Sequence, residues 1–254
     1  MGVTLPQFRA EAEAAVAAAR RAEELGLDGV FVFDHLWPMG RPERPIVASV
    51  PLLGALAVET SRVAIGSLVM RVGLVPDDLL VAALLRVDEI SGGRLVAGLG
   101  TGDRLSAAEN RAFGVDYPPA DVRRRSLEWC AGQLRAAGRP VWIGAGAVVS
   151  AGTREVAVRV GAAVNVWDTG TAAVEDEEEV EVTWGGPVPG GPLAVATRIE
   201  ELADAGATWV VCAWPGSLDV VAEACEMVRR GRVGGADPVS RASSKSAGTG
   251  EGPG

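Results

Sequence analysis

Along the chain, short apolar runs alternate with longer stretches in which apolar residues recur every three or four positions. Val3–Leu5 reads as a first short strand. Phe8, Ala12, Val16, Ala19 and Ala22 then fall at helical spacing, and Gly26 is placed to end that helix. Val30–Phe33 is a continuous buried-strand run, 45–59 reads as a helix, and Val63–Val69 as a third strand. Asp77 and Asp78 open the next helix at its positive end, Leu80, Ala83, Leu84 and Val87 form its core face, and Gly92-Gly93 stops it. Leu95–Leu99 is the fourth strand, followed by a basic amphipathic helix over 120–137. Val141-Trp142-Ile143 is the fifth, with a helix near 153–160. Ala163–Val166 and Val180–Thr183 give the sixth and seventh strands, with a helix at about 193–205. Trp209–Cys212 is the eighth, and a helix at 218–230 closes the series.

Strand and helix in strict alternation imply an α/β fold with a parallel sheet. Eight strands that are apolar throughout favour closure into a single (β/α)8 barrel over residues 1–231 rather than an open sheet. The segment between strands six and seven, 170–179, is short and acidic (Glu175 to Glu179). It predicts a stunted crossover whose charges form a solvated surface. Residues 232–254 are rich in Gly, Ser, Ala and Pro and are expected to form a disordered tail.

Composition adds bounds. The chain has 254 residues, 48% of them hydrophobic, enough for one barrel core, and a net charge of −9 that argues against a nucleic-acid partner. No stretch reaches 18 uninterrupted apolar residues, so no membrane span is expected. Cys130, Cys212 and Cys225 have no metal-like spacing and read as reduced and buried. With no signal-peptide pattern at the start, they point to a cytoplasmic protein. The expected partner is a small-molecule substrate.

In a barrel, chemistry gathers where strands end and βα loops begin. His35, the sole histidine, stands there beside Asp34 and can exchange protons near neutral pH. Asp103 follows a glycine-rich turn after strand four, where a carboxylate can serve as acid, base or anchor, or simply cap a helix. Gly144-Ala145-Gly146, with Ser150 and Thr153 near the next helix start, has the makings of a phosphate cradle. Trp37, Trp167, Trp184 and Trp214 lie close to strand ends, where aromatic walls suit a flat ligand and loop packing is the alternative.

The segments ARRAEELGLDGVFVFDHLWP, TSRVAIGSLVM, RVDEISGGRLVAGLGTGD, FGVDYPP and PVWIGAG, in this order, resemble the luciferase-like monooxygenase superfamily, especially the branch that uses the deazaflavin coenzyme F420. The resemblance covers most of residues 1–167, and EELADAGATWVVCAWPG fits the family's last helix and strand. It implies a hydride transfer between the deazaflavin C5 and a small organic substrate. Asp34 and His35 would stand at the ring, and His35 or Asp103 would manage the proton that accompanies hydride. Ser67-Leu68 aligns with the strand-three bulge, where members hold a non-proline cis peptide behind the central ring. Thr101, Gly102 and Asp103 fall in the cofactor and substrate loop. At the Asp103 position some members carry an acidic glutamate, one methylene longer. Gly144, Ala145 and Gly146 match the phosphate loop. The same resemblance admits an FMN-dependent monooxygenase served by a flavin reductase, and members are often homodimers. This chain departs from the family by a shortened segment before strand five, by a longer phosphate loop, and by VGAAVNVW where strand six usually has an aspartate. The resulting open mouth motivates a further alternative, a non-catalytic flavin- or deazaflavin-binding protein.

Overall fold

The computed structural model describes residues 1–38, 40–103 and 105–233. Its strands are β1 (Gly2–Thr4), β2 (Gly29–Val32), β3 (Ala64–Ser67), β4 (Met70–Arg71), β5 (Leu95–Gly100), β6 (Val141–Gly146), β7 (Ala163–Trp167), β8 (Val182–Gly186) and β9 (Trp209–Cys212). All pairings are parallel, and β1 joins β2 on one side and β9 on the other, so the sheet closes. β3 and β4 both pair with β5 and are two halves of one barrel strand, interrupted at the cis peptide Leu68–Val69. The result is the expected eight-stranded (β/α)8 barrel. With both faces covered, its strands carry apolar runs instead of alternation.

The surrounding helices are α1 (Glu13–Glu24), α2 (Ser49–Glu59), α3 (Asp77–Ser91), α4 (Ser106–Ala112), α5 (Ala120–Ala136), α6 (Ala151–Val160), α7 (Ala172–Glu175), α8 (Pro192–Asp204) and α9 (Leu218–Val233). α3 begins with Asp77 and Asp78 and ends at Gly92, whose φ of 71° is the left-handed cap that halts a helix. α8 starts on Pro192, whose missing N–H costs nothing in the first turn.

Four expectations change. α1 starts at Glu13 and buries Ala15, Ala18, Ala19 and Ala22, so Phe8 lies outside it. The cause is Gln7, fully buried, which donates to Phe33 O and Val47 O and accepts from Phe33 N–H, tying residues 5–12 across the barrel end. β8 runs Val182–Gly186, two residues later than its apolar pattern begins. α4 was not expected, because it is a seven-residue helix inside a loop with no apolar period to show it. The thin crossover is indeed a four-residue helix, α7, but its charges are not all solvated. The Glu177 side chain is 3% exposed and holds Arg154 through both oxygens at 2.8–3.0 Å. The tail expectation falls outside the described residues from 234 onward, while α9 itself reaches Val233.

Inside the barrel, Phe31 stacks on Trp142 with ring centroids 5.1 Å apart, and Trp142 meets Trp209 edge-on at 5.5 Å. Glycine makes room for this plug: a Cβ at Gly66 would lie 2.6 Å from the Phe31 ring. The plug continues through Leu68 to Val69 and Trp167, where the open end begins. Cys130, Cys212 and Cys225 are free and buried; burial pushes the Cys130 and Cys212 thiols up to about 12. Among the described residues, no helix is long and apolar enough to cross a membrane.

Candidate active site

A cavity of about 1300 Å³ opens over the C-terminal ends of the strands. That exceeds the ~300–1000 Å³ of an ordinary small-molecule site and leaves room for a cofactor together with a substrate. Its lining includes Asp34, His35, Leu68, Thr101, Gly102, Asp103, Gly144, Ala145 and Gly146, so nine of the ten residues singled out by sequence converge on it. Ser67 lies beneath, fully buried, with its hydroxyl donating to Gly98 O at 2.8 Å.

The floor is shaped by the strand-three bulge. A Cβ at Gly98 would overlap the Ser67 carbonyl, one at Gly100 would lie 2.6 Å from Val69 Cγ2, and one at Gly144 3.0 Å from the same atom. These glycines admit Val69 into the mouth as a shelf. Gly144 therefore has a packing duty that its place in a Gly-Ala-Gly run did not disclose. One wall is aromatic: Phe8 stacks on Phe33 at 5.6 Å, and Phe33 meets Trp167 edge-on at 5.6 Å. Of the four tryptophans, Trp167 and Trp214 line the cavity. Trp184 is buried outside the barrel wall, with its ring N–H on Thr169 O, and Trp37 packs on Phe113.

Asp34 joins two neighbours. Its carboxylate accepts the Ser49 hydroxyl at 2.6 Å and the Arg71 backbone N–H at 2.8 Å. Burial raises its pKa above the ordinary value despite these donors. His35 Nδ1 lies 2.8 Å from Glu109 Oε1, while Glu109 Oε2 accepts Leu36 N–H at 3.1 Å and Arg71 Nη2 at 2.9 Å. Burial opposes the charge of Glu109, but the hydrogen bonds from His35 and Leu36 and the Arg71 charge outweigh it and lower its pKa. Arg71 and Glu109 are the site residues that sequence reasoning missed. Glu109 sits on the undetected α4, and Arg71 follows the bulge in a run that reads as ordinary strand.

Asp103 faces a different duty. Its Oδ1 accepts Leu105 N–H, Ser106 N–H and the Ser106 hydroxyl at 2.9–3.0 Å, so it caps the start of α4. Burial acts to raise its pKa, and the Ser106 hydrogen bonds overcome that and lower it. Tyr117 and Arg123 hold the same loop from the other side, through Asp103 O and Thr101 O.

At the far rim, Gly146 (φ 66°) leads into α6, and Ser150 caps that helix by accepting Thr153 N–H. The N–H groups of Ala151 and Gly152 have no intrahelical acceptor, as in any first turn. The Arg124 guanidinium packs there, 3.2 Å from where a Gly152 Cβ would be.

These features fit a flat anionic cofactor. The shelf and aromatic wall would brace a ring, and the α6 terminus with Arg124 would hold a phosphate. Two buried Arg71 nitrogens, Nε and Nη1, have no partner among the described residues and lie beside the same cavity. Among the described residues no metal-binding cluster occurs.

The family model for luciferase-like monooxygenases matches residues 2–141, more than half of the chain. An F420-dependent glucose-6-phosphate dehydrogenase of Nakamurella multipartita is 36% identical over 108 residues, 42% of this chain and 31% of that protein. The alignment thus spans about a third of the length of such curated relatives. Among solved structures, an F420-dependent secondary alcohol dehydrogenase bound to an F420–acetone adduct superposes with a TM-score of 0.71 at 12% identity, over 90% of this chain and 99% of that one. The F420-dependent tetrahydromethanopterin reductase of Methanopyrus kandleri gives 0.69 at 16%, over 90% and 96%. At such identities these structures establish the fold.

Proposed function

Because the chain belongs to the luciferase-like monooxygenase family, we propose that it is an F420-dependent oxidoreductase acting on a small organic substrate. The observation that carries this reading is the cavity at the strand ends, in which the sole histidine stands near the Val69 shelf. The names of the relatives point to the same cofactor.

When bound, F420 supplies a carbon that accepts or returns hydride; the protein contributes position and charge. Leu68 and Val69, which line the cavity, would brace one face of the ring. Asp34 holds β4 in place through the Arg71 N–H and keeps the shelf registered against the cavity. Thr101 and Gly102 would border the ring edge, and Gly144, Ala145 and Gly146 would lead the phosphate to the start of α6. His35 would take up or release the proton that accompanies the hydride. Asp103 shapes the substrate loop through its cap, in place of the longer glutamate of some family members.

Titrating the purified protein with F420 and with FMN, followed by fluorescence quenching, tests the reading. Binding of F420 with little binding of FMN is expected. The reverse assigns the protein to the FMN monooxygenases, which need a reductase. F420 binding that survives His35→Ala, with no turnover of any substrate panel by the unmodified chain, identifies a non-catalytic binder.

A further inference from the structure

We propose that Glu109 is a positioning residue for His35: it fixes the imidazole as the Nδ1–H tautomer and leaves Nε2 as the free lone pair of the ring.

The argument starts from which groups can donate. The Leu36 backbone N–H and the Arg71 guanidinium have protons to give and no lone pair to offer, and both point at Glu109 Oε2. An ionised carboxylate can only accept. Its other oxygen, Oε1, lies 2.8 Å from His35 Nδ1, a distance that requires the proton to be on Nδ1. Water cannot take over the role, because the Glu109 side chain is 1% exposed and that of Arg71 4%. Asp103 makes no hydrogen bond to His35 among the described residues, and its Oδ1 is turned to three donors at the start of α4. Nε2 has no protein partner among the described residues, and His35 lines the cavity.

The arrangement has a sharp consequence. In Glu109→Gln, one of the two side-chain atoms becomes an NH2 donor. The carbonyl must face the two obligate donors, Leu36 N–H and Arg71, which turns the NH2 toward His35 Nδ1. Nδ1 must then accept, so the ring proton moves to Nε2. A nearly isosteric change would invert the tautomer and close the lone pair that a proton carrier needs. Only this last step rests on the proton role proposed above; the tautomer itself does not.

The chain has one histidine, so imidazole nitrogen NMR gives a single pair of resonances. The measurement uses the full chain without cofactor, at alkaline pH. The proposal expects a pyrrole-type signal for Nδ1 and a pyridine-type signal for Nε2, with the two exchanging places in Glu109→Gln. A proton on Nε2 in the unmodified chain overturns it, as does an identical pattern in the variant. Should the variant fail to fold, the unmodified chain still decides the first point. Glu109→Asp then supplies the second: its shortened carboxylate should leave Nδ1 without its acceptor and mix the tautomers, and an unmixed Nδ1–H ring counts against the proposal. Failure of F420 to bind would refute the cofactor reading and leave this result standing.

Discussion

The carboxylate of Asp34 accepts the backbone N–H of Arg71 at 2.8 Å, joining the end of β2 to the resumption of barrel strand three after its bulge. Asp34→Ala leaves that N–H and the Ser49 hydroxyl unpaired in a half-buried site. The cost expected in urea denaturation is roughly 1–3 kcal/mol. Asp34→Asn retains an acceptor and should cost less. Burial raises the folded-state pKa of Asp34, so the fold binds this proton more tightly than the unfolded chain does. The contribution of Asp34 therefore favours acid and is lost as pH rises through the folded value. The deficit of Asp34→Asn should accordingly shrink between acid and neutral pH, and a deficit that grows would contradict the assignment.

Glu23 has the opposite sign. Burial works against its charge, but N–H groups of Arg62, Val63 and Ser61 and the Ser61 hydroxyl bring its pKa from 4.5 to about 2. Its contribution is present above the unfolded value and is lost as pH falls from about 4.5 toward about 2. Glu23→Gln should lower stability at neutral pH and flatten the acid limb of the stability curve in this window. An acid limb as steep as that of the parent protein would show that the α2–β3 turn does not depend on this carboxylate.

Glycines make a paired test of the bulge. A Cβ at Gly98 would overlap the Ser67 carbonyl, backbone against backbone, whereas one at Gly132 in α5 meets nothing within 4 Å. Gly98→Ala must displace the bulge and should cost ~3 kcal/mol or more, in the range of strained core changes. Gly132→Ala should stabilise by about 0.5–1 kcal/mol through helix propensity. Thermal unfolding of the two variants should move in opposite directions. Equal shifts would mean that the barrel adjusts freely around Ser67 and Val69.

The barrel was legible because parallel strands buried on both faces leave continuous apolar runs, and eight of them stand in the sequence with helices between. Trp209–Cys212 could be bounded to the residue. The site was legible only in part. His35 and Asp34 announce themselves by residue type at a strand end. Glu109 does not, because it reaches His35 from 74 residues away, on a short helix inside a loop. Asp103 shows the converse. A carboxylate after a glycine turn has the same appearance whether it faces ligand or caps a helix, and Asp103 lines the cavity while its Oδ1 accepts the Leu105 and Ser106 N–H groups. Gly144 likewise reads as a phosphate loop, while its neighbour Val69 comes from a strand that sequence does not place beside it.

Arg124 offers a test of the anion site that no reading of the Gly-Ala-Gly run suggested. Its guanidinium lies on the first turn of α6, where the helix already presents unpaired N–H groups and the positive end of its dipole. A phosphate there would gain a cation in addition to backbone donors. Arg124→Ala should then weaken F420 binding by roughly 5–30-fold, the loss of ~1–2 kcal/mol expected for a partly exposed charge-assisted contact. The parent affinity should fall with added salt, and the variant should show a shallower dependence. Stability should change little, because the side chain is exposed and makes no ion pair among the described residues. An unchanged affinity and salt slope would place the phosphate away from α6, and with it the Gly144–Gly146 segment.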